Sequence, residues 1–189
     1  MSPFTLAALD RSPAELAAEL AADLWATSTG SVDAAARWLS RPALLRRLAE
    51  GLAGHVPATA DRIAAGGPGA AALGAAVSLW TGLPFVAFPG TVATPAGSGA
   101  LPAGSGEPER GSCVPDLGEL DRGDRVVVVA LNGAAARDLV PRLRADGVVI
   151  AAVAVVVAEE PGVAGVAGVA EEPGAMALVR RGPHGFVPA

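Results

Sequence analysis

The chain contains no lysine and no tyrosine, and all fourteen of its basic residues are arginines. That excludes a Schiff-base lysine, a phosphate-loop lysine and any chemistry that needs a mobile ammonium group. There is one cysteine, Cys113, so no internal disulfide can form, and no Cys-x-x-Cys pair or Cys/His cluster marks a metal site. A reducing cytoplasm is the simplest compartment for such a chain. Aromatic residues make up only 4%, which leaves the core to be built from small pieces. Positive charge is also in short supply. The net charge of −5 and a pI near 5.0 offer no basic face to nucleic acid or to an anionic membrane, and neither is expected as a partner. The longest apolar run, Val148 to Ala158, has eleven residues and is too short to span a bilayer. The opening "MSPFTLAALDRSPAEL" lacks the basic stretch and continuous apolar run of a signal peptide. A soluble protein is expected.

Hydrophobic residues make up 51% of 189 positions, enough for one domain with a sizeable core or one domain with a small appendage. Residues 1–60 read as a helical segment. In "RSPAELAAELAADLWATSTG", Ser12 is a candidate N-cap, Pro13 takes the first helical position and Glu15 completes a capping box. Leu16, Leu20 and Leu24 then recur every four residues as one apolar stripe, and Gly30 stops it. A second helix is signalled by "SRPALLRRLAEGLAGH", with Leu44, Leu45, Leu48 and Leu52 as its buried face and Arg46, Arg47 and Glu50 toward water.

From residue 61 the pattern changes to alternating strands and helices. "DRIAAGGPGAAALGAAVSLWTG" predicts a short strand, a glycine-rich turn and a helix ending at Gly82, and "LPFVAFPG" predicts the next strand. Residues 90–118 are rich in Gly, Pro, Ser and Ala without periodicity and predict a mobile loop. A buried strand is expected at Val126–Val129, followed by a helix. Pro141 would cost about 3 kcal/mol deep inside a helix, which favours a helix that starts at Asp138 after a long turn from Ala130. The alternative is a kinked helix that starts at Gly133. "VVIAAVAVVVAEE" suits a central parallel strand buried on both faces. A Gly-Val-Ala insert at 162–170, flanked by two EEPG copies, leads to a last strand at Ala175–Val179. The expected architecture is α/β: a mostly parallel sheet flanked by helices, with the N-terminal helices as a small cap and the sheet within 61–189.

Two turns are candidate sites. Gly67-Pro68-Gly69-Ala70-Ala71-Ala72 is formally G-x-G-x-x-A, but the strand that comes next ends without the acid that would bind a ribose. A bare anion site on the N–H groups from Gly67 to Ala70 is one reading. The other is a tight turn that lets an alanine-rich helix pack close to the sheet. In the second turn Asn132 and Gly133 could shape a nest of N–H donors. Arg137 and Asp138 can attract an anion, pair with each other or stand in solvent. His55 and His184 have no carboxylate or cysteine partner at a recognisable spacing, and Cys113 has no nearby histidine. Trp25, Trp38 and Trp80 read as core or interface anchors.

Over roughly residues 20–180 the order of these elements resembles the type I phosphoribosyltransferases, the orotate-specific members in particular. "LWATSTG" and "ARWLSRPALLRRLAEGLA" resemble that family's N-terminal helices. "DRIAAGGPGAAALGAAVSLWTGLPFV" resembles its pyrophosphate-loop strand and helix, and 90–118 falls where the family has its flexible catalytic loop. "GELDRGDRVVVVALNGAAARDLVPRLRADGVVIAAVAVVVAEE" matches the spacing of the strand, phosphoribosyl-pyrophosphate loop, helix and following strand.

The resemblance implies a ligand at Asn132, Gly133, Ala134, Ala135, Ala136, Arg137 and Asp138, and at Gly67 and Gly69 of the first turn. It also implies a homodimer, and magnesium only if phosphoribosyl pyrophosphate is bound; no other cofactor is expected. The departures from the pattern are chemical. Two adjacent acids of the family fall on Ala130 and Leu131, and its Thr-Thr-Gly-Gly-Ser-like cradle falls on Ala134 to Asp138. The flexible loop, which carries a lysine in the family, has only Arg110. No catalytic residue can be named. Each lost charge or donor can cost a few kcal/mol of transition-state stabilisation, so the resemblance implies a scaffold without the chemistry, in a regulatory or scaffolding role with residual binding of a phosphorylated ligand. The competing expectations are a divergent transferase acting on a nucleobase-like substrate through Asn132, Arg137 and Asp138, and a dimeric interaction module.

Overall fold

The computed structural model describes residues 12–27, 34–88, 120–158, 175–182 and 185–189. The expected loop at 90–118, the insert at 162–170, Cys113 and His184 lie outside them. Along the chain run α1 (Pro13–Thr27), α2 (Ala34–Leu39), α3 (Pro42–Ala53), β1 (Arg62–Gly66), α4 (Ala70–Thr81), β2 (Phe85–Phe88), β3 (Arg125–Asn132), α5 (Gly133–Ala145), β4 (Val149–Ala158), β5 (Ala175–Gly182) and β6 (Gly185–Pro188).

Local chemistry accounts for most boundaries. At the start of α1 the Ser12 hydroxyl accepts from the Glu15 N–H at 3.3 Å, while Glu15 accepts from the Ser12 N–H at 2.8 Å. This reciprocal pair is the expected capping box. Gly82 closes α4 in the left-handed conformation (φ 74°), with its N–H donating to the Ser78 carbonyl. Such an end favours glycine. The six-residue α2 is a separate helix that the sequence patterns do not announce.

The six strands form one sheet in the order β2-β1-β3-β4-β5-β6, parallel throughout except for β6, which pairs antiparallel with β5. The mostly parallel sheet is as expected. The β5–β6 hairpin is an addition, since the last strand runs on past Val179 to Gly182 and then turns back. Side chains alternate across the sheet. From β3, Val127, Val129 and Leu131 join Ala152, Ala154 and Val156 of β4 in a core shared with α1 to α4. Val126, Val128 and Ala130 join Val153 and Val155 on the other face, beneath Ala136, Leu139, Val140 and Leu143 of α5. In α3, Leu44, Leu48 and Leu52 are buried as the spacing implies, and Leu45 is half-buried beside them. Gly51 lets α3 approach β5 closely, since a Cβ there would stand 3.0 Å from Leu178.

Candidate functional site

Ligands of open parallel sheets sit at the C-terminal ends of the strands, in the crevice where the chain winds out in opposite directions. Here the chain leaves β1 through α4 to reach β2 on one side, and leaves β3 through α5 to reach β4 on the other. The two helices lie on opposite faces of the sheet. The crevice of interest is therefore bounded by the segments after β1 and β3, where the two candidate turns fall.

After β3 there is no turn. The strand runs to Asn132 and α5 begins at Gly133. This corrects the expectation of a long connection with Asp138 as N-cap. Asn132 is the cap: its backbone is extended and its Oδ1 accepts from the Ala135 N–H at 3.0 Å. Alanine is the best helix former, and three in succession carry the helix back to the end of the strand. Pro141 lies inside α5 after all. It sits on the exposed side of the helix and, having no N–H, leaves the Arg137 carbonyl without its helical donor.

The same geometry removes the expected nest. Gly133 has no positive φ, and among the described residues the positive-φ glycines are Gly67, Gly69, Gly82, Gly123, Gly147 and Gly185. A nest needs right-handed and left-handed residues in succession. Asn132 and Gly133 instead form a capped helix start. The side-chain oxygen of Asn132 and the N–H of Ala135 satisfy each other.

Ala130 and Leu131 lie within β3, fully buried and 3% exposed respectively, one in each of the two cores. No oxygen atom could replace either without entering apolar packing. Among the described residues no three His, Cys, Asp or Glu side chains come together as a metal site. Among the described residues the end of β3 offers no carboxylate for magnesium, so these residues do not fit a resident cation there.

The turn after β1 is closed from two sides. Gly67 has φ 87°, and a Cβ on it would stand 2.6 Å from the Ala135 methyl of α5. A Cβ on Gly69 would collide with Leu39 of α2. Nor are the expected N–H donors exposed as a set: Gly67 donates to the Phe88 carbonyl at 3.0 Å and Ala70 donates to the Gly67 carbonyl at 3.1 Å. Pro68 has none to give. The turn serves packing, as Gly74 one helical turn further on also does. A Cβ on Gly74 would come within 2.8 Å of Ala65 and 2.6 Å of Phe85. Gly67 therefore packs against the α5 start, while Gly69 packs against Leu39 of α2.

Of the remaining site residues, Ala134 and Asp138 are exposed and Ala136 is buried in the core under α5. Arg137 is half-buried, and its Nε is buried with no hydrogen-bond partner among the described residues. Side chains on a helix point back toward its N-terminus, which directs Arg137 toward the strand ends. Arg180 and Arg181 stand exposed toward the C-terminal end of β5, and the described ion pairing of the strands lies at the opposite end of the sheet. There Arg62 pairs with Asp124 at 3.0 Å, and the Asp61 carboxylate accepts from the Arg125 N–H at 2.9 Å. Sequence reasoning missed Leu39 as a cover for the first turn. No local signal carries that contact, because it joins two segments about thirty residues apart in the chain.

No protein-family model and no curated protein matches the chain. Solved structures do. Adenine phosphoribosyltransferase from Leishmania donovani is 14% identical with a TM-score of 0.53, and the match covers 90% of this chain and 85% of that one. The adenine phosphoribosyltransferase of Rhodothermus marinus is 16% identical with a TM-score of 0.51, over 76% of this chain and 83% of that one. A UMP synthase of Leishmania donovani is 21% identical with a TM-score of 0.49, and there the chain spans only 28% of the longer protein. Similarity at this level establishes architecture. With its sheet order, its flanking helices and its N-terminal helical cap, the chain has the type I phosphoribosyltransferase fold.

Proposed function

We propose that this protein is a catalytically silent relative of the orotate and adenine phosphoribosyltransferases, with a regulatory or scaffolding role as a dimer. One observation carries the reading. Where a phosphate-cradling loop would lie, β3 passes directly into α5 and the Ala135 methyl fills the crevice against Gly67. Phosphoribosyl transfer relies on preorganised charges and donors aimed at the reacting groups. The strand end supplies methyl groups instead.

Arg137 is the cation that α5 directs toward the strand ends, and it supports residual, weak binding of a small phosphorylated ligand. Leu79, 88% exposed, and the partly exposed Trp80 beside it leave apolar surface at the end of α4 for a partner. A second copy of the chain is the partner assigned, and the mass found by light scattering decides between one copy and two. No helix among the described residues is long and apolar enough to cross a membrane.

The test of silence is turnover. Purified protein with phosphoribosyl pyrophosphate, magnesium and either orotate or adenine is expected to form no nucleotide above a protein-free control. Formation of orotidine or adenosine monophosphate at a rate proportional to protein concentration would overturn the reading.

A further inference from the structure

Two buried side-chain polar atoms among the described residues have no hydrogen-bond partner, Trp38 Nε1 and Arg137 Nε. Both are donors. Arg137 already belongs to the proposed anion contact, but Trp38 has no role so far. Its side chain is only 7% exposed, and its ring meets Phe186 edge-on with centroids 5.9 Å apart at 77°.

The position of Trp38 gives the orphan N–H its meaning. The next residue, Leu39, lies on Gly69, just beyond the C-terminal end of β1. Phe186 pairs with Arg181 near the C-terminal end of β5, above the level where Ala158 pairs with Arg180. The side chains of Trp38 and Leu39 at the end of α2 therefore lie toward the ligand end of the sheet, Leu39 on the turn after β1 and Trp38 against Phe186 of β6. An N–H buried without an acceptor carries its full desolvation penalty. Tryptophan offers a donor only, so whatever satisfies it must be an acceptor.

We infer that Trp38 is a ligand-reading residue, whose indole N–H donates to an oxygen or nitrogen acceptor of the small phosphorylated molecule held at the strand ends. This rests on the residual-binding reading and adds a specificity contact that no sequence motif assigns. The ligand then meets donors from both sides of the sheet, Trp38 from the cap and Arg137 from α5, and contributes acceptors only.

The experiment follows indole and backbone N–H resonances of the 15N-labelled full chain during titration with ribose 5-phosphate and, separately, adenosine monophosphate. The Trp38 indole proton, assigned by its loss in Trp38→Phe, is expected to move downfield with at least one probe while the α5 amides near Arg137 also shift. Movement with both probes places the acceptor on the phosphoribosyl part; movement with the nucleotide alone places it on the base. If the α5 amides shift and the Trp38 indole does not, the inference is overturned and the binding reading stands. If no resonance shifts at millimolar probe, both are overturned. Trp38→Phe keeps a ring in place, and its affinity for the active probe is expected to fall about fivefold, the loss of one ordinary hydrogen bond. Unchanged affinity in that variant would also contradict the inference.

Discussion

Ala130→Asp is expected to destabilise the protein by about 4 kcal/mol at neutral pH, because it puts an uncompensated carboxylate inside the sheet. Ala130 is fully buried, paired with Gly66 on one side and Val155 on the other, in the core under α5. Burial raises the carboxyl's folded-state pKa above its unfolded value of about 3.9. Below that value both states are protonated, and the cost falls to that of burying a neutral polar group in a tight space. As pH rises above it, the unfolded state ionises first, and the folded state loses about 1.4 kcal/mol per pH unit until its own pKa is reached. Urea denaturation should therefore show a much smaller loss at pH 4 than at pH 7. A loss under about 1 kcal/mol at pH 7 would mean that position 130 reaches water, as a ligand-holding position would. The account of an apolar strand end would then be wrong.

Gly67→Ala is expected to cost about 3 kcal/mol, from two separable sources. The left-handed backbone contributes about 1–2 kcal/mol for any residue with a Cβ, and the added methyl must displace Ala135, a clash of the kind that costs about 1–3 kcal/mol. Gly82 supplies the control. Its φ is also positive at 74°, but a Cβ there would meet nothing within 4 Å. Gly82→Ala should therefore lose only the backbone share. The difference between the two variants, read from denaturation midpoints at equal slope, reports the contact between the first turn and α5. Adding Ala135→Gly to Gly67→Ala should recover most of that difference. Equal losses at Gly67 and Gly82 would show an open crevice.

Much of this architecture is legible in the sequence because its signals are local. The Ser12–Glu15 capping box, the leucine stripes of α1 and α3, the glycine stop at Gly82 and the valine-rich strands each depend on spacing within a few residues. The β3–α5 junction departs from expectation for a physical reason. Pro141 carries a real penalty inside a helix, and taken alone that penalty pushes the helix start to Asp138. The three-alanine run and the Asn132 cap outweigh it, because Pro141 stands on the solvent side of α5. The short β6 has only Phe186 and Val187 as apolar residues before its closing proline and gives no period to read. The packed turn after β1 is half legible: the want of acids and hydroxyls from Ala130 to Ala136 can be read in the sequence. That Ala135 lies against Gly67 and Leu39 against Gly69 is a matter of long-range packing, which only the fold reveals.

The most direct measurement is an isothermal titration of the full chain with phosphoribosyl pyrophosphate and magnesium. A helix start capped by Asn132 and sealed by Ala135 against Gly67 leaves no cradle for the 5′-phosphate, so the expected result is binding no tighter than the millimolar range. A saturable isotherm with micromolar affinity at one site per chain would contradict it.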